Sequence, residues 1–275
     1  MVRCQWKPQF SLRSLFIVFT LLVIPIYLLS LNVDQKRRER QFVTSVTAIG
    51  GNVAYDWEWD ATTPPGPFWL RRAFGENFFA QIRHVSFFQN ATLDDAKFAA
   101  LDIPPRIPVL WLDFSRITDK GLANIRGLTA LKDLGLYNTQ ITDEGLAHVE
   151  HLTQLESLFL DGTLVADAGL KHLEHLTHLT DLHLSRTQVS DAGLKHIENL
   201  RDLSYLDLSQ THVSDAGLVH LAGLTGLESL KIDRTQVTKS GVRRLQQALP
   251  RCKITWRFVG TREEWEKLLR EEAEP

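Results

Sequence analysis

LKDLGLYNTQITDEGLAHVEHLTQ at residues 131–154, LESLFLDGTLVADAGLKHLEHLTH at 155–178, LTDLHLSRTQVSDAGLKHIENLRD at 179–202 and LSYLDLSQTHVSDAGLVHLAGLTG at 203–226 follow one another without a gap, a repeat of 24 residues. The frame extends back to IPVLWLDFSRITDKGLANIRGLTA from Ile107 and forward to LESLKIDRTQVTKSGVRRLQQALP from Leu227. A degenerate copy, IRHVSFFQNATLDDAKFAAL, begins at Ile82, slightly off in spacing. Within a unit Leu134 and Leu136 alternate as on a strand, whereas Leu146, Val149 and Leu152 recur every three residues as on a short helix or 3₁₀ turn. One unit cannot bury both apolar edges. Stacked units can, with their strands forming a parallel sheet and their helices an outer layer.

The pattern L-x-x-L-x-L-x-x-T-x-[IV]-[ST]-D-x-G-[LV]-x-x-[LIV]-x-x-L resembles the leucine-rich-repeat family over about 60% of the chain. The resemblance implies an α/β leucine-rich-repeat solenoid with a parallel sheet on its concave face and short helices outside, to which the flanking residues are expected to add an N-terminal transmembrane helix and terminal caps. An uncharged span, then Ile49-Gly50-Gly51 and Tyr55-Asp56-Trp57-Glu58, then the repeats, is similar to bacterial single-span membrane-anchored leucine-rich-repeat proteins of unassigned function. The T-D-x-G-L signature is also similar to that of F-box leucine-rich-repeat adaptors. Residues 1–81 hold no F-box pattern, so adaptor activity does not carry over.

Two polar positions recur at the turns. Ser115, Thr139, Thr163, Thr187, Thr211 and Thr235, with Asn90, offer a side-chain oxygen expected to satisfy backbone donors inside the bend. The pair represented by Thr142-Asp143 and Ser190-Asp191 supplies a helix N-cap followed by a carboxylate favourable to the helix dipole. Ala166 lacks the hydroxyl and Lys239 the carboxylate, which reads as either residue sufficing. Asn90-Ala91-Thr92 matches a glycosylation acceptor, but Asn90 occupies the turn position and reads as structural.

Outside the repeats the composition changes. The net charge of −2 conceals +5 over residues 1–50 and −4 over 106–250, and 32 of the 43 leucines lie in 101–250. With no basic domain, nucleic acid is excluded as a partner. Residues 14–33, SLFIVFTLLVIPIYLLSLNV, carry no charge and would span about 30 Å as a helix. This implies a single-pass membrane protein that contacts the lipid bilayer through residues 14–33. Arg3, Lys7 and Arg13 precede the run and Lys36, Arg37, Arg38 and Arg40 follow it, so charge leaves its orientation unassigned. A 13-residue tail precedes the span, and an amphipathic juxtamembrane helix at 34–50 follows it, with Phe42, Val43, Val46 and Ile49 at helical spacing. An N-terminal cap occupies 51–81, with Val53, Tyr55, Trp57 and Trp59 on one face of a strand and a short aromatic helix around 68–80. The repeats fill 82–249, and a C-terminal cap fills 250–275, where Thr261 and Glu264 form a capping box before an apolar stripe of Trp265, Leu268 and Leu269. Cys4 and Cys252 flank the span and form no disulfide framework.

The non-leucine strand positions project onto the concave surface. Aromatics and carboxylates dominate there, giving a candidate binding set of Trp111, Asp113, Asp133, Tyr137, Phe159, Asp161, Asp181, His183, Tyr205, Asp207, Lys231 and Asp233. Rigid aromatic anchors among acids suit a protein partner with a basic surface. A structural or self-associating envelope protein is the alternative, and a glycan receptor relying on Trp111, Phe159 and Tyr205 the third. His148, His172, His196 and His220 recur in a row on the outer face with His151, His175 and His178 nearby, which repeat inheritance explains without a metal. No catalytic motif is present, so the expectation is a non-enzymatic protein with no cofactor and no metal.

Overall fold

The structure is a computed structural model and describes residues 24–56, 58, 64, 71–72, 77 and 80–257. Among the described residues nine strands form one sheet in sequence order. β1 (Asn52–Tyr55) pairs antiparallel with β2 (Ile82–Ser86). From β2 onward every pairing is parallel: β3 (Val109–Trp111), β4 (Asp133–Gly135), β5 (Ser157–Phe159), β6 (Asp181–His183), β7 (Tyr205–Asp207), β8 (Ser229–Lys231) and β9 (Lys253–Thr255). The register from β3 to β9 advances by one repeat per strand, so Leu134 faces Leu158 and Leu158 faces Leu182.

The core follows from that register. Leu134, Leu136, Leu146, Val149 and Leu152 are fully buried, and so are their counterparts in the next two repeats. Each such side chain contributes about 1.5–3 kcal/mol on leaving water. A four-residue helix closes most units, as in Asp143–Leu146 and Asp191–Leu194. Thr118, Thr142 and Ser190 cap their helices by accepting the amides of Lys120, Glu144 and Ala192.

The aspartate after each cap has a role beyond the helix dipole: it binds the next repeat. Asp167 Oδ1 accepts the Ser190 N–H at 2.7 Å, and Oδ2 accepts the Ser190 hydroxyl at 2.6 Å. The same two bonds join Asp95 to Thr118, Asp119 to Thr142, Asp191 to Ser214 and Asp215 to Thr238. Asp143 meets Ala166 and keeps only the amide bond, at 2.7 Å. Cap and carboxylate are therefore not interchangeable. Lys239 stands in the last repeat, where no further repeat requires the clamp. The glycine of the signature follows from the same packing, because a Cβ on Gly193 would lie 2.5 Å from Asp167 Oδ1.

The turn hydroxyls also work differently from the expectation. The hydroxyls donate: Ser115, Thr139, Thr163, Thr187, Thr211 and Thr235 each bond the carbonyl three residues back at 2.6–2.8 Å, while only Thr235 also accepts a backbone N–H, from Val237 at 3.4 Å, and Asn90 Oδ1 accepts the Thr92 N–H at 3.1 Å as expected. Backbone donors in the bend are met by carbonyls of the neighbouring repeat instead, as when Asn138 N–H bonds Asp161 O at 2.8 Å. On the outer face the histidines do not stack against one another. His172 Nδ1 meets Glu150 at 2.9 Å, His220 meets Glu198 at 3.0 Å, and His196 pairs with Glu174. His148 instead accepts from Arg126 Nε at 2.8 Å. The imidazole bonds hold the Glu150 and Glu174 carboxyls below their ordinary value.

At the N-terminal end no helix of the described residues is long and apolar enough to cross a membrane. Residues 14–23 of the expected span lie outside the described residues. Residues 24–33 open a helix, Ile24–Ala48, that continues through 34–48 with no break between the expected span and juxtamembrane helix. Phe42 and Val46 bury its end against the first repeat. Gly50, at φ 79°, stops it, and Gly51 lets the chain pass where a Cβ would come 2.6 Å from Val46 Cγ1. Asn90 is tied into this joint, its Nδ2 donating to Ile49 O at 2.5 Å.

β1 is shorter than the expected strand, and its buried residue is Ala54, with Val53 and Tyr55 half-buried on the core. A register shift between Ala54 and Tyr55 breaks the alternation. Trp57, Trp59 and most of the aromatic segment at 68–80 lie outside the described residues, as do the expected capping box of Thr261 and Glu264 and the helix expected after it. At the C-terminal end Trp256 Nε1 donates to Val237 O at 3.0 Å, holding β9 onto the last repeat.

Candidate functional site

The strand residues that face away from the core form three rows across the sheet. One row runs Trp111, Gly135, Phe159, His183, Asp207, Lys231 in direct register. The outer rows hold Asp133, Asp181 and Tyr205 on one side and Asp113, Tyr137, Asp161 and Asp233 on the other. Two clusters form within this surface.

The first lies toward the N-terminal end. Phe114 packs edge-on to Phe88 at 5.7 Å and to Tyr137 at 4.8 Å between ring centroids, and Trp111 packs edge-on to His84 at 4.7 Å. Gly135 sits in register between Trp111 and Phe159, so the two large rings flank a position with no side chain. A pocket of about 400 Å³ opens here, lined by Phe88, Trp111, Asp113, Phe114, Tyr137 and Phe159. Asp113 lies at its base, accepting the Tyr137 N–H at 2.8 Å, and burial pushes its carboxyl above the ordinary value. Phe88 is 54% exposed at the rim.

Phe88 and Phe114 were absent from the sequence-derived set because they follow the strands. For Phe114 the signal is the turn position itself: Gln89, Asn138, Gly162, Arg186, Gln210 and Arg234 occupy the left-handed position that Phe114 takes at φ 58°. A bulky residue there costs about 1–2 kcal/mol. An aromatic ring held at that position, half over a pocket, marks this repeat out from the others.

The second cluster is central. His183 packs between Phe159 and Tyr205, at centroid distances of 4.5 and 4.6 Å, and Lys231 Nζ lies 5.2 Å from the Tyr205 ring centre. Asp161 and Asp207 flank the imidazole. His183 Nδ1 is 3.7 Å from Asp161 Oδ2, and Lys231 Nζ is 4.0 Å from Asp207 Oδ2. Burial, reinforced by the charge of Asp207, raises the Asp161 carboxyl to about 6. Burial also lowers the His183 imidazole, against the opposing pull of Asp207 and Asp181. Burial thus works against a charged imidazole where His183 approaches Asp161. Asp133, Asp181 and Asp233 stand outside both clusters; Asp181 Oδ2 accepts the Thr180 hydroxyl at 2.7 Å.

These features define a class: a repeat solenoid whose exposed parallel sheet carries a formed aromatic pocket beside a buried polar cluster. Residues 175–197 and 199–222 match the family described as Leucine Rich repeat. The match falls on two consecutive units of the 24-residue repeat, and the repeated sheet around them is of the leucine-rich-repeat kind. Among solved structures the chain is similar to an internalin of Listeria monocytogenes, with a TM-score of 0.50 and 24% identity over 60% of this chain. The chain spans 44% of that internalin's length. Internalin C2 of the same organism gives a TM-score of 0.49 and 25% identity, covering 64% of this chain and 81% of the other. A leucine-rich-repeat protein of Leptospira interrogans gives a TM-score of 0.44 and 25% identity, covering 52% and 36%. The first likeness shows a shared fold. No curated protein sequence matches the chain. Leucine-rich-repeat proteins generally mediate protein–protein interaction.

Proposed function

We propose that this chain is a membrane-anchored, non-catalytic binding protein that receives a protein partner on its concave face. The pocket formed by Phe88, Trp111, Phe114, Tyr137 and Phe159 carries this reading. It is apolar, open to the concave surface and built on rigid strands, the arrangement in which an inserted apolar or aromatic side chain becomes a binding hot spot. Acids beside it and further along the face favour a basic surround on the partner. The uncharged run 14–33 supports the anchor, and the helix Ile24–Ala48 would carry the chain from the bilayer directly into the first repeat.

The test is chemical cross-linking in native, carbonate-washed membranes, comparing the full chain with a Tyr137→Ala/Phe159→Ala variant. Retention of the chain in the washed membranes and a loss of about tenfold or more in partner adducts for the variant are expected, as for a hot-spot pair. Release of the chain by the wash removes the anchor. Equal adduct recovery from both proteins removes the concave site.

A further inference from the structure

Asp161, His183 and Asp207 come from three successive repeats, yet their ligand-type atoms lie within 4.8 Å of one another. We propose that they form a binding site for a borderline divalent transition-metal ion, with Zn²⁺ the best fit. The donor set consists of one imidazole nitrogen and two carboxylate oxygens, with further coordination positions left to water or to a partner's side chain. Zn²⁺ takes such ligands at about 2.0–2.2 Å, which places them about 3.5 Å apart around one ion. Small rotations of the two carboxylates close that difference. A mixed imidazole and carboxylate set suits Zn²⁺ better than Ca²⁺ or Mg²⁺, which prefer oxygen throughout.

Three independent features separate this triad from a chance group of acids. Both carboxylates are oriented by the backbone: Asp161 Oδ1 accepts the Ser185 N–H at 3.1 Å and Asp207 Oδ1 the Ser209 N–H at 2.9 Å. Asp161 Oδ2 then faces the imidazole, Asp207 Oδ2 accepts the Tyr205 hydroxyl at 3.5 Å, and outer bonds of this kind fix ligands around a metal. The imidazole is clamped between the Phe159 and Tyr205 rings. Asp161 is 7% exposed, and its nearest basic group is the imidazole of His183 at 3.7 Å.

Repeat inheritance does not account for the arrangement. Aspartate recurs at the Asp161 position as Asp113 and Asp233, but neither has a histidine in the next register row, where Gly135 and Thr255 stand; the row of His183 and Asp207 holds Phe159 and Lys231 on either side. The outer-face histidines, by contrast, recur every 24 residues and pair with glutamates. Lys231 is the natural competitor, since its ammonium approaches the same Asp207 oxygen at 4.0 Å while its side chain is 42% exposed and able to turn away.

The test is isothermal titration of the chelator-treated full chain in detergent with ZnCl₂, repeated with CoCl₂ while the visible d–d absorption is followed. Wild type, His183→Gln, Asp207→Asn and Lys231→Gln are compared, each checked for an unchanged denaturation midpoint at the outset. The expected result is a Zn²⁺ isotherm weakened by about tenfold or more in the first two variants, since a side chain bonded to the ion outweighs the outer bonds whose loss has that effect. Lys231→Gln should bind more tightly than wild type, and the Co²⁺ band should disappear in His183→Gln. An isotherm identical in wild type, His183→Gln and Asp207→Asn would place any bound metal elsewhere and overturn the proposal, as would the absence of Zn²⁺ uptake by the wild type. Should Asp207→Asn lose stability, His183→Gln and the Lys231→Gln gain decide the outcome.

Discussion

Asp161 is the residue at which the demands of the fold and of the surface pull apart. Its ordinary carboxyl value of 3.8 rises to about 6, chiefly through burial and then through Asp207, with Asp113 adding a smaller push. Between those two values the folded chain holds the proton more tightly than the unfolded chain does. The group therefore destabilises the fold above about pH 6, and its penalty disappears as pH falls toward 4. Asp161→Asn keeps an oxygen for the Ser185 N–H and removes the charge. With a chelator present it should gain on the order of 2 kcal/mol at pH 7 and lose that advantage near pH 4. Urea midpoints at the two pH values check this; a variant no more stable than wild type at pH 7 contradicts it. Glycines supply a second pair of tests. Gly193→Ala pushes a Cβ to 2.5 Å from Asp167 Oδ1 and should cost about 2 kcal/mol, whereas Gly127 has nothing within 4 Å and its alanine variant should gain about 0.5 kcal/mol. Similar thermal midpoints for the two variants would mean that the signature glycine is not set by the clamp.

At the scale of the element, the repeat is held by its leucines and aligned by its aspartates. Ala166 is the one interrupted rung among the described repeats, because Asp143 finds an amide but no hydroxyl. Ala166→Thr should restore both the helix cap and the second carboxylate bond, stabilising the chain by about 1 kcal/mol. Asp167→Ala should destabilise it by about 2 kcal/mol through loss of two charge-assisted bonds to Ser190. Denaturant titration of the two variants measures both, and no gain in the first would leave the clamp without energetic weight.

How far the sequence could be read depends on periodicity. The leucine frame, the short outer helices and the parallel register were all legible because they repeat every 24 residues. The clamp was harder to see, since its partners are 23 residues apart and each half already had an adequate local explanation in helix capping. Lys239, which drops the carboxylate only where no repeat follows, was the available clue. The candidate site was legible as a surface but not as clusters. Asp161, His183 and Asp207 come together in a combination that no other trio of repeats carries, and the ring of Phe114 enters from a turn, where strand alternation carries no information.

On the scale of the whole molecule, the chain is a stack with unlike ends. A helix and an antiparallel strand close the N-terminal end, and β9 with Trp256 adjoins the C-terminal one. Between them the outer face is an ordered lattice of histidine, glutamate and arginine side chains, and the inner face is a rigid sheet whose aromatic pocket lies close to the N-terminal helix. If that helix continues from a bilayer, the pocket sits on the membrane-proximal half of the solenoid, and a partner reaching it meets apolar rings first and acids beyond. Position-specific photo-cross-linking tests this most directly. A benzophenone amino acid replaces Tyr137 on the concave face in one protein and Val219, 63% exposed on the helical side, in another. Both full chains are irradiated in native membranes. The account predicts a discrete hetero-adduct from position 137, absent from position 219 and lost when Phe114→Ala is added. Adducts confined to position 219, equal at both positions, or consisting only of the chain cross-linked to itself would contradict it.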